Sequence, residues 1–390
     1  MKILIIHNKY SIRGGEDTVF ENELKLLSES YQVESLIFQN KPNFLGLIQF
    51  ITSIWNIRSS SKLKSKIKEF KPDYIHFHNL HFASGPLLIR VAKKKGIPLI
   101  MTLHNYRLLC PSATLMHNEK LFLESLKSNF PWKAVRSKVY RNSFFFTFLL
   151  AFINWFHEKI GTWRLIDTYV CLTPLTKKLL LNSSIGIKEN QIYVKPNFIK
   201  SFSLNNVLPR SNHFLFLGRF SEEKGIKILL EAFNNSDLQL KIGGYGPFED
   251  LVISSSQNNN NIQFLGSLEP SQVMDELQKC TALIFPSIWY EGMPMTIIES
   301  FSVSTPVIAS NIGAMSMMIE HKQNGLLFAS SDSSDLVSQL TYWSSLNDNA
   351  IKKIRKSAFN SFEENYSEST QLLFFEQIFE LAKSHNKNYK

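Results

Sequence analysis

The 390-residue sequence is poor in cysteine, with only Cys110, Cys171 and Cys280. An odd number at wide spacing excludes a disulfide framework and a C-x-x-C zinc site, and points to a reducing cytosol. No apolar stretch reaches the roughly 20 residues that a helix needs to cross a membrane. The longest, FFFTFLLAFINWF, runs only from Phe144 to Phe156. The opening MKILIIHNK is too short in apolar residues for a signal-peptide core and reads as a first β-strand. No D-x-D occurs, which leaves a divalent ion on paired aspartates without an obvious seat. Acidic residues are scarce in one half only: residues 1–195 hold 28 Lys+Arg against 13 Asp+Glu, and residues 196–390 hold 15 against 20. A basic half that is more than a solvated face calls for an anionic partner: a membrane surface, a phosphorylated substrate or nucleic acid.

What is present is alternation. Short apolar runs at 2–8, 33–38, 74–79, 98–105, 168–173 and 192–197 are separated by segments of helical periodicity. After a polar, proline-containing stretch from Ser201 to Asn212 the pattern restarts at 213–220, 238–244, 261–266, 282–287, 305–310 and 324–329. Such alternation predicts α/β architecture, with two parallel sheets each covered by helices on both faces. The expected domains are residues 1–200 and 201–365, with a helix over 366–390 packing back on the first. Ligands of such sheets bind beyond the carboxyl ends of the strands. Phe44, Leu47, Ile48, Ile51, Ile54 and Trp55 recur at helical spacing, and Lys62, Lys64, Lys66 and Lys68 follow. This basic amphipathic stretch is the expected membrane contact. The run Phe144–Phe156 reads as a buried core helix, with an interfacial role as its alternative.

Three stretches can carry chemistry. The strand ending in Gly218 runs into Arg219-Phe220-Ser221-Glu222-Glu223-Lys224-Gly225 ahead of a helix. Two cations and free backbone N–H groups there suit a diphosphate, unless Glu222 and Glu223 simply serve the helix dipole. Gly243-Gly244-Tyr245-Gly246-Pro247 ends the next strand, where glycines either let backbone approach a ligand or build a turn. Gly14-Gly15 is its counterpart in the first half. In YEGMPMTIIE, Glu291 lies in a loop and Glu299 on the following helix. Eight helical steps of ~1.5 Å would separate them by about 12 Å, against the roughly 5–9.5 Å of glycosidase carboxyl pairs. Two hydrogen-bond acceptors along one polyhydroxylated ligand remain, and a nucleotide sugar is such a ligand.

The order G-R-[FL]-x-x-x-K-G, G-x-G-P, E-G-x(6)-E resembles the retaining glycosyltransferases of family 4, which have the two-domain GT-B fold. The likeness covers nearly the whole chain and is nearest to bacterial enzymes of capsule, O-antigen or exopolysaccharide synthesis. Gly14-Gly15-Glu16 is similar to the family's first glycine loop. His104 in TLHNYRLLCP is similar to its active-site histidine, and Ser310 through Gly313 to Gly325 to its later glycine turn. The resemblance implies two Rossmann-like domains facing a central cleft. It implies that Arg219 and Lys224 neutralise the leaving diphosphate, that Glu299 holds ribose hydroxyls and that Glu291 holds sugar hydroxyls. It places His104 near the donor sugar, and the backbone at Gly15, Gly218, Gly244, Gly246 and Gly292-Met293-Pro294 around phosphate and sugar. Transfer would retain anomeric configuration without a metal or other cofactor, the nucleotide-diphosphate sugar being co-substrate. Asn105 stands where many relatives carry an acid, and Ala314 and Met317 where many carry glycine and glutamate.

The expected function is sugar transfer to a glycan or lipid-linked acceptor in surface polysaccharide synthesis. The expected place is the cytoplasm, with peripheral contact at the inner membrane face. A GT-B-type nucleotide-sugar epimerase and a basic nucleic-acid-binding protein are the alternatives, the latter without a recognisable motif. His76, His78 and His81 suggest a metal, but lacking a fourth ligand they read as structural or cleft-wall residues. Cys110 reads as packing.

Overall fold

The computed structural model describes residues 1–10, 14–118, 120–200, 209–234 and 236–387; most of the Ser201–Asn212 stretch lies outside them. The chain forms two compact units. The first comprises Met1–His117, Phe122–Asn197 and the chain from Gln371 on; the second comprises Asn118–Leu121 and Phe198–Thr370.

The first unit carries a six-stranded sheet of β1 (Lys2–Lys9), β2 (Gln32–Gln39), β3 (Tyr74–Phe77), β4 (Leu99–Leu103), β5 (Thr168–Cys171) and β6 (Ile192–Val194) in the order 2-1-3-4-5-6. The second repeats the plan with β7 (His213–Arg219), β8 (Gln239–Tyr245), β9 (Ile262–Gly266), β10 (Ala282–Phe285), β11 (Val307–Ser310) and β12 (Gly325–Phe328) in the order 9-8-7-10-11-12. All these pairings are parallel. The second order is that of dinucleotide-binding sheets. Both sheets are doubly wound, and every apolar run of the sequence pattern became a strand.

Period-two geometry explains why these runs are apolar throughout rather than alternating. In β7, Leu215 and Leu217 enter one buried cluster with Phe285, Ile297 and Phe301, while Phe214 and Phe216 enter another with Ile226, Phe233 and Ile284. Ile3, Leu4, Ile5 and Ile6 of β1 are likewise wholly buried. Helices on both faces leave no solvated side for polar residues.

The last helix, Glu368–Lys387, buries Phe375, Ile378, Phe379 and Ala382. Phe379 packs 4.9 Å from the ring of Tyr74, and Lys93 Nζ donates to Asp167 Oδ1 (2.5 Å) and Asn386 Oδ1 (2.9 Å).

The helix Phe144–Lys159 departs from the expectation of all-round burial. Leu149, Leu150 and Ile153 are buried, but Phe144 and Phe145 are exposed. Phe144, Phe148, Phe152 and Phe156 instead form a ladder of stacked rings one helical turn apart, and Phe130 and Trp132 lean on Phe148. No helix among the described residues is long and apolar enough to cross a membrane.

Candidate functional site

Strand order reverses between β7 and β10 in the second unit, and loops leaving those two strands are where such a sheet binds ligands. The chain leaves β7 at Arg219, makes a single 3-10 turn over Glu222–Lys224 and enters its helix through Gly225, which is left-handed at φ 72°. A Cβ on Gly225 would fall 2.0 Å from the carbonyl oxygen of Pro286, just beyond β10. The amide of Ile288 donates to the carbonyl of Glu223 at 3.0 Å. The two loops are pressed into one surface, and only glycine fits the contact.

Across that surface Lys224 Nζ donates to Glu291 Oε1 at 2.6 Å, and Ser287 Oγ donates to the same oxygen at 2.7 Å. Glu291 is buried, and Lys224 Nζ stands 5.5 Å from the ring of Phe285 and 5.6 Å from that of Trp289. Aromatic walls thin the surrounding water and strengthen the pair. Arg219 is exposed on the same loop. Gly218, Gly244 and Gly246 are packed beside it. A Cβ on Gly244 would meet the Gly218 carbonyl oxygen at 1.9 Å, and one on Gly246 the Phe220 carbonyl oxygen at 2.5 Å. The space at Gly244 and Gly246 is taken by the backbone of Gly218 and Phe220, whereas a Cβ on Gly218 would meet only the Phe216 ring at 3.5 Å.

Gly292, Met293 and Pro294 lead into the helix Met295–Ser302, with Pro294 extended as its N-cap. Glu299 lies on that helix, where burial lifts its carboxyl to about 6. The turn after β11 closes on the same loop: Gly313, left-handed at φ 59°, would place a Cβ 3.1 Å from Tyr290 Cα. Ala314 is buried beneath it and Met317 is exposed. The segments carrying Arg219, Lys224, Gly244, Gly246, Glu291 and Gly313 therefore end or follow neighbouring strands of one sheet, and Glu299 comes later, on the helix Met295–Ser302.

In the first unit order reverses between β1 and β3. Gly15 opens the helix Gly15–Ser30 after β1, and Asp17 of its first turn accepts from the Gly14 amide at 3.0 Å. The other oxygen of Asp17 lies 2.8 Å from His7 Nε2. His104 follows β4, its Nε2 3.0 Å from His78 Nδ1. His78 Nε2 in turn lies 3.2 Å from Glu23 Oε2, and Lys195 Nζ 2.9 Å from Glu23 Oε1. With Nε2 facing the Glu23 carboxylate, His78 meets Nε2 of His104 through Nδ1, and in one tautomer His104 donates from Nε2 to that nitrogen. That leaves Nδ1 of His104 as an acceptor. Asn105 donates to Glu16 Oε1 at 2.5 Å, so an acid borrowed from the first helix stands beside the position where relatives carry one.

Glu23, His76 and His78 bring three ligand-type atoms within 4.8 Å of one another. Lys195, packed 4.7 Å over the ring of Phe375, already supplies this cluster with a cation. His81 lies apart; its amide donates to Asn79. Burial would raise the Glu23 carboxyl, but the Lys195 ammonium and His78 hold it well below the usual range. Burial also lowers His76 to about 3 and His104 well below 6.5. Neither Glu23 nor Lys195 was visible as a site residue in sequence, because each sits alone in an unremarkable segment.

These shifts set an acid response. Below about pH 6.5 the unfolded chain takes up protons that His76 and His104 refuse when folded. Stability is thus full above that pH and is lost as pH falls toward 3, at about 1.4 kcal/mol per unit per histidine. The contribution of Glu23 is full above the ordinary glutamate value of about 4.3 and is lost as pH falls from there through its depressed value. Urea midpoints should fall between pH 7.5 and 5.5; equal midpoints would contradict the buried neutral histidines.

Residues 47–201 match the model described as Glycosyltransferase Family 4, and residues 200–360 that described as Glycosyl transferases group 1. An uncharacterized glycosyltransferase of Methanocaldococcus jannaschii is 24% identical over 97% of this chain and 98% of its own. The lipopolysaccharide outer core galactosyltransferase WaaB aligns with TM-score 0.66 at 19% identity, covering 98% of this chain and 99% of that one. The Anabaena protein HepE, in complex with UDP-glucose, aligns with TM-score 0.63 at 17% identity, covering 98% and 100%.

Proposed function

Because the chain belongs to the glycosyltransferases of GT-B type, with a family 4 domain followed by a group 1 domain, we propose that it carries out retaining, metal-independent sugar transfer. The donor is a nucleotide-diphosphate sugar, and the acceptor a glycan or lipid-linked glycan of surface polysaccharide synthesis. The observation that carries this reading is the Lys224–Glu291 contact at the switch point of the second sheet. It sets the cation for a leaving diphosphate against the carboxylate for a sugar hydroxyl.

In this reading Arg219 and Lys224 take the charge that develops as the anomeric C–O bond breaks and its electron pair passes to the diphosphate. Glu291 accepts from sugar hydroxyls and stabilises positive charge at the anomeric carbon. Glu299 accepts from the ribose. The acceptor oxygen bonds to the anomeric carbon on the face the diphosphate leaves, and its proton passes to a departing phosphate oxygen. His104, kept neutral by burial, accepts a donor-sugar hydrogen bond through Nδ1. A thermal-shift series with UDP-, GDP- and ADP-sugars tests the donor class, since a ligand of the native state raises the unfolding temperature. A flat response to all three would remove it. Conversion of donor without any acceptor would mark an epimerase instead.

The membrane clause rests on the segment after β2. On the helix Asn43–Thr52 and beyond, Phe44 is 71% exposed and Ile57 70%, with Ile48, Ile51 and Trp55 also outward. The next helix, Ile57–Phe70, buries Leu63, Ile67 and Phe70 and exposes Lys62, Lys64 and Lys68. Apolar anchors beside lysines suit an anionic bilayer. Flotation with vesicles containing anionic lipid at low salt should recover the wild type, and Phe44→Ser/Trp55→Ser should lose most of that recovery. Equal flotation of the two would end the clause.

A further inference from the structure

The loops leaving β1 to β4 of the first unit enclose a cavity of about 500 Å³. Tyr10, Lys41, Phe82 and Arg107 line it from those four loops in turn, and Phe50 and Phe146 from helices. Lys41, Arg107 and Arg141 line it, and among the described residues no aspartate or glutamate does.

Arg107 is the unusual member. It is 8% exposed, and it makes no ion pair among the described residues. Its Nε and Nη1 have no hydrogen-bond partner. Its guanidinium instead lies 5.3 Å from the ring of Phe82 and 5.5 Å from that of Tyr140, and Arg141 lies 5.4 Å from Tyr140 on the rim. The neighbouring acid, Glu16, is occupied by Asn105. The nearby Glu16 carboxylate and the Tyr140 hydroxyl support the charge, and the unpartnered Nε and Nη1 remain as two N–H groups that can donate to an added oxyanion.

The remaining wall is aromatic and aliphatic. Lys41 and Gln49 also border a second hollow, of about 510 Å³, lined by Ile37, Ile48, Trp55 and Ile57. Lys41 and Gln49 thus stand between the cation-lined cavity and a hollow bordered by Ile48 and Trp55 of the exposed apolar stripe. A free phosphate would leave the wall of Phe50, Phe82 and Phe146 uncovered, and a neutral lipid would leave Nε and Nη1 of Arg107 without an acceptor.

We propose that this cavity binds the phosphoryl end of an amphiphile, a phosphate or diphosphate ester of a long alkyl or isoprenoid alcohol. Its oxyanion sits on Arg107 and Arg141, and its first carbons lie against Phe50, Phe82 and Phe146. The inference rests on the reading of the chain as a transferase with a lipid-linked acceptor, and it names the chemistry of that acceptor.

Calorimetric titration of the full chain, without nucleotide and below micelle-forming concentrations, tests it. Four probes are compared: dodecyl phosphate, dodecyl maltoside, glycerol 1-phosphate and inorganic phosphate. Dodecyl phosphate should bind at least tenfold more tightly than each of the others. Arg107→Gln should weaken it by about ten- to a hundredfold, the worth of one or two charge-assisted hydrogen bonds. Arg141→Gln, on the exposed rim, should weaken it severalfold and decides the matter if the Arg107 variant does not fold. Inorganic phosphate or dodecyl maltoside binding as well as dodecyl phosphate, or wild-type affinity in the folded variants, would overturn the proposal. Failure of every nucleotide sugar to bind would overturn the transferase reading and leave this titration standing.

Discussion

Lys224→Met is expected to lower the turnover of sugar transfer at saturating donor by about 10²- to 10³-fold while the protein stays folded. Two losses combine. The leaving diphosphate loses a preorganised cation in a site walled by Phe285 and Trp289, where removal of a single aimed donor costs about that much. The carboxylate of Glu291 also loses the ammonium at 2.6 Å and keeps the hydroxyl of Ser287. Glu291→Gln keeps the shape and removes the charge, and should lower turnover by a similar factor. Because the two side chains act as a unit, the double variant should be far less impaired than the product of the single effects. Arg219→Ala, at an exposed position, should cost less and lose its effect as salt rises. Turnover of Lys224→Met within threefold of wild type would remove the pair from the catalytic assignment.

Lys195→Met is the second large expectation, and it concerns stability. Lys195 and Glu23 are both wholly buried and 2.9 Å apart, with His76 and His78 on the same carboxylate. Breaking one side of a buried pair leaves the other charge stranded, which costs about 3–5 kcal/mol. Denaturant unfolding monitored on the first unit should show that loss. Adding Glu23→Gln should return a good part of it, because a neutral amide no longer demands a counter-ion. A loss below 1 kcal/mol for the single variant, or no return in the double, would mean that the lysine is not the partner this carboxylate depends on.

The architecture was legible because parallel strands covered on both faces must be apolar at every position. That signature survives in runs such as KILIIH and ALIF without any tertiary knowledge. The loops of the second unit were legible for a related reason. Arg219, Lys224 and Glu291 fall directly after strands, and strand ends in one sheet meet at one edge. Glu23 and Lys195 were not legible. They lie far apart in sequence, and Glu23, with Glu21 and Lys25 beside it in ENELKLL, looks like part of a solvated charged face. Only the folded chain brings His76, His78 and Lys195 to it. The helix Phe144–Lys159 was misjudged because composition cannot say that aromatic rings will cover one another in a ladder instead of being covered by the core.

The return of the final helix to the first unit has a consequence for synthesis. Phe375 and Gln371 lie beside the buried ammonium of Lys195, and Asn386 bonds Lys93. The half of the molecule made first therefore cannot close its core until the ribosome has finished the other half, a wait of roughly tens of seconds at about 5–20 residues per second. During that wait the nascent first half stands incomplete while its younger neighbour is free to settle, so the order of birth and the order of completion are reversed.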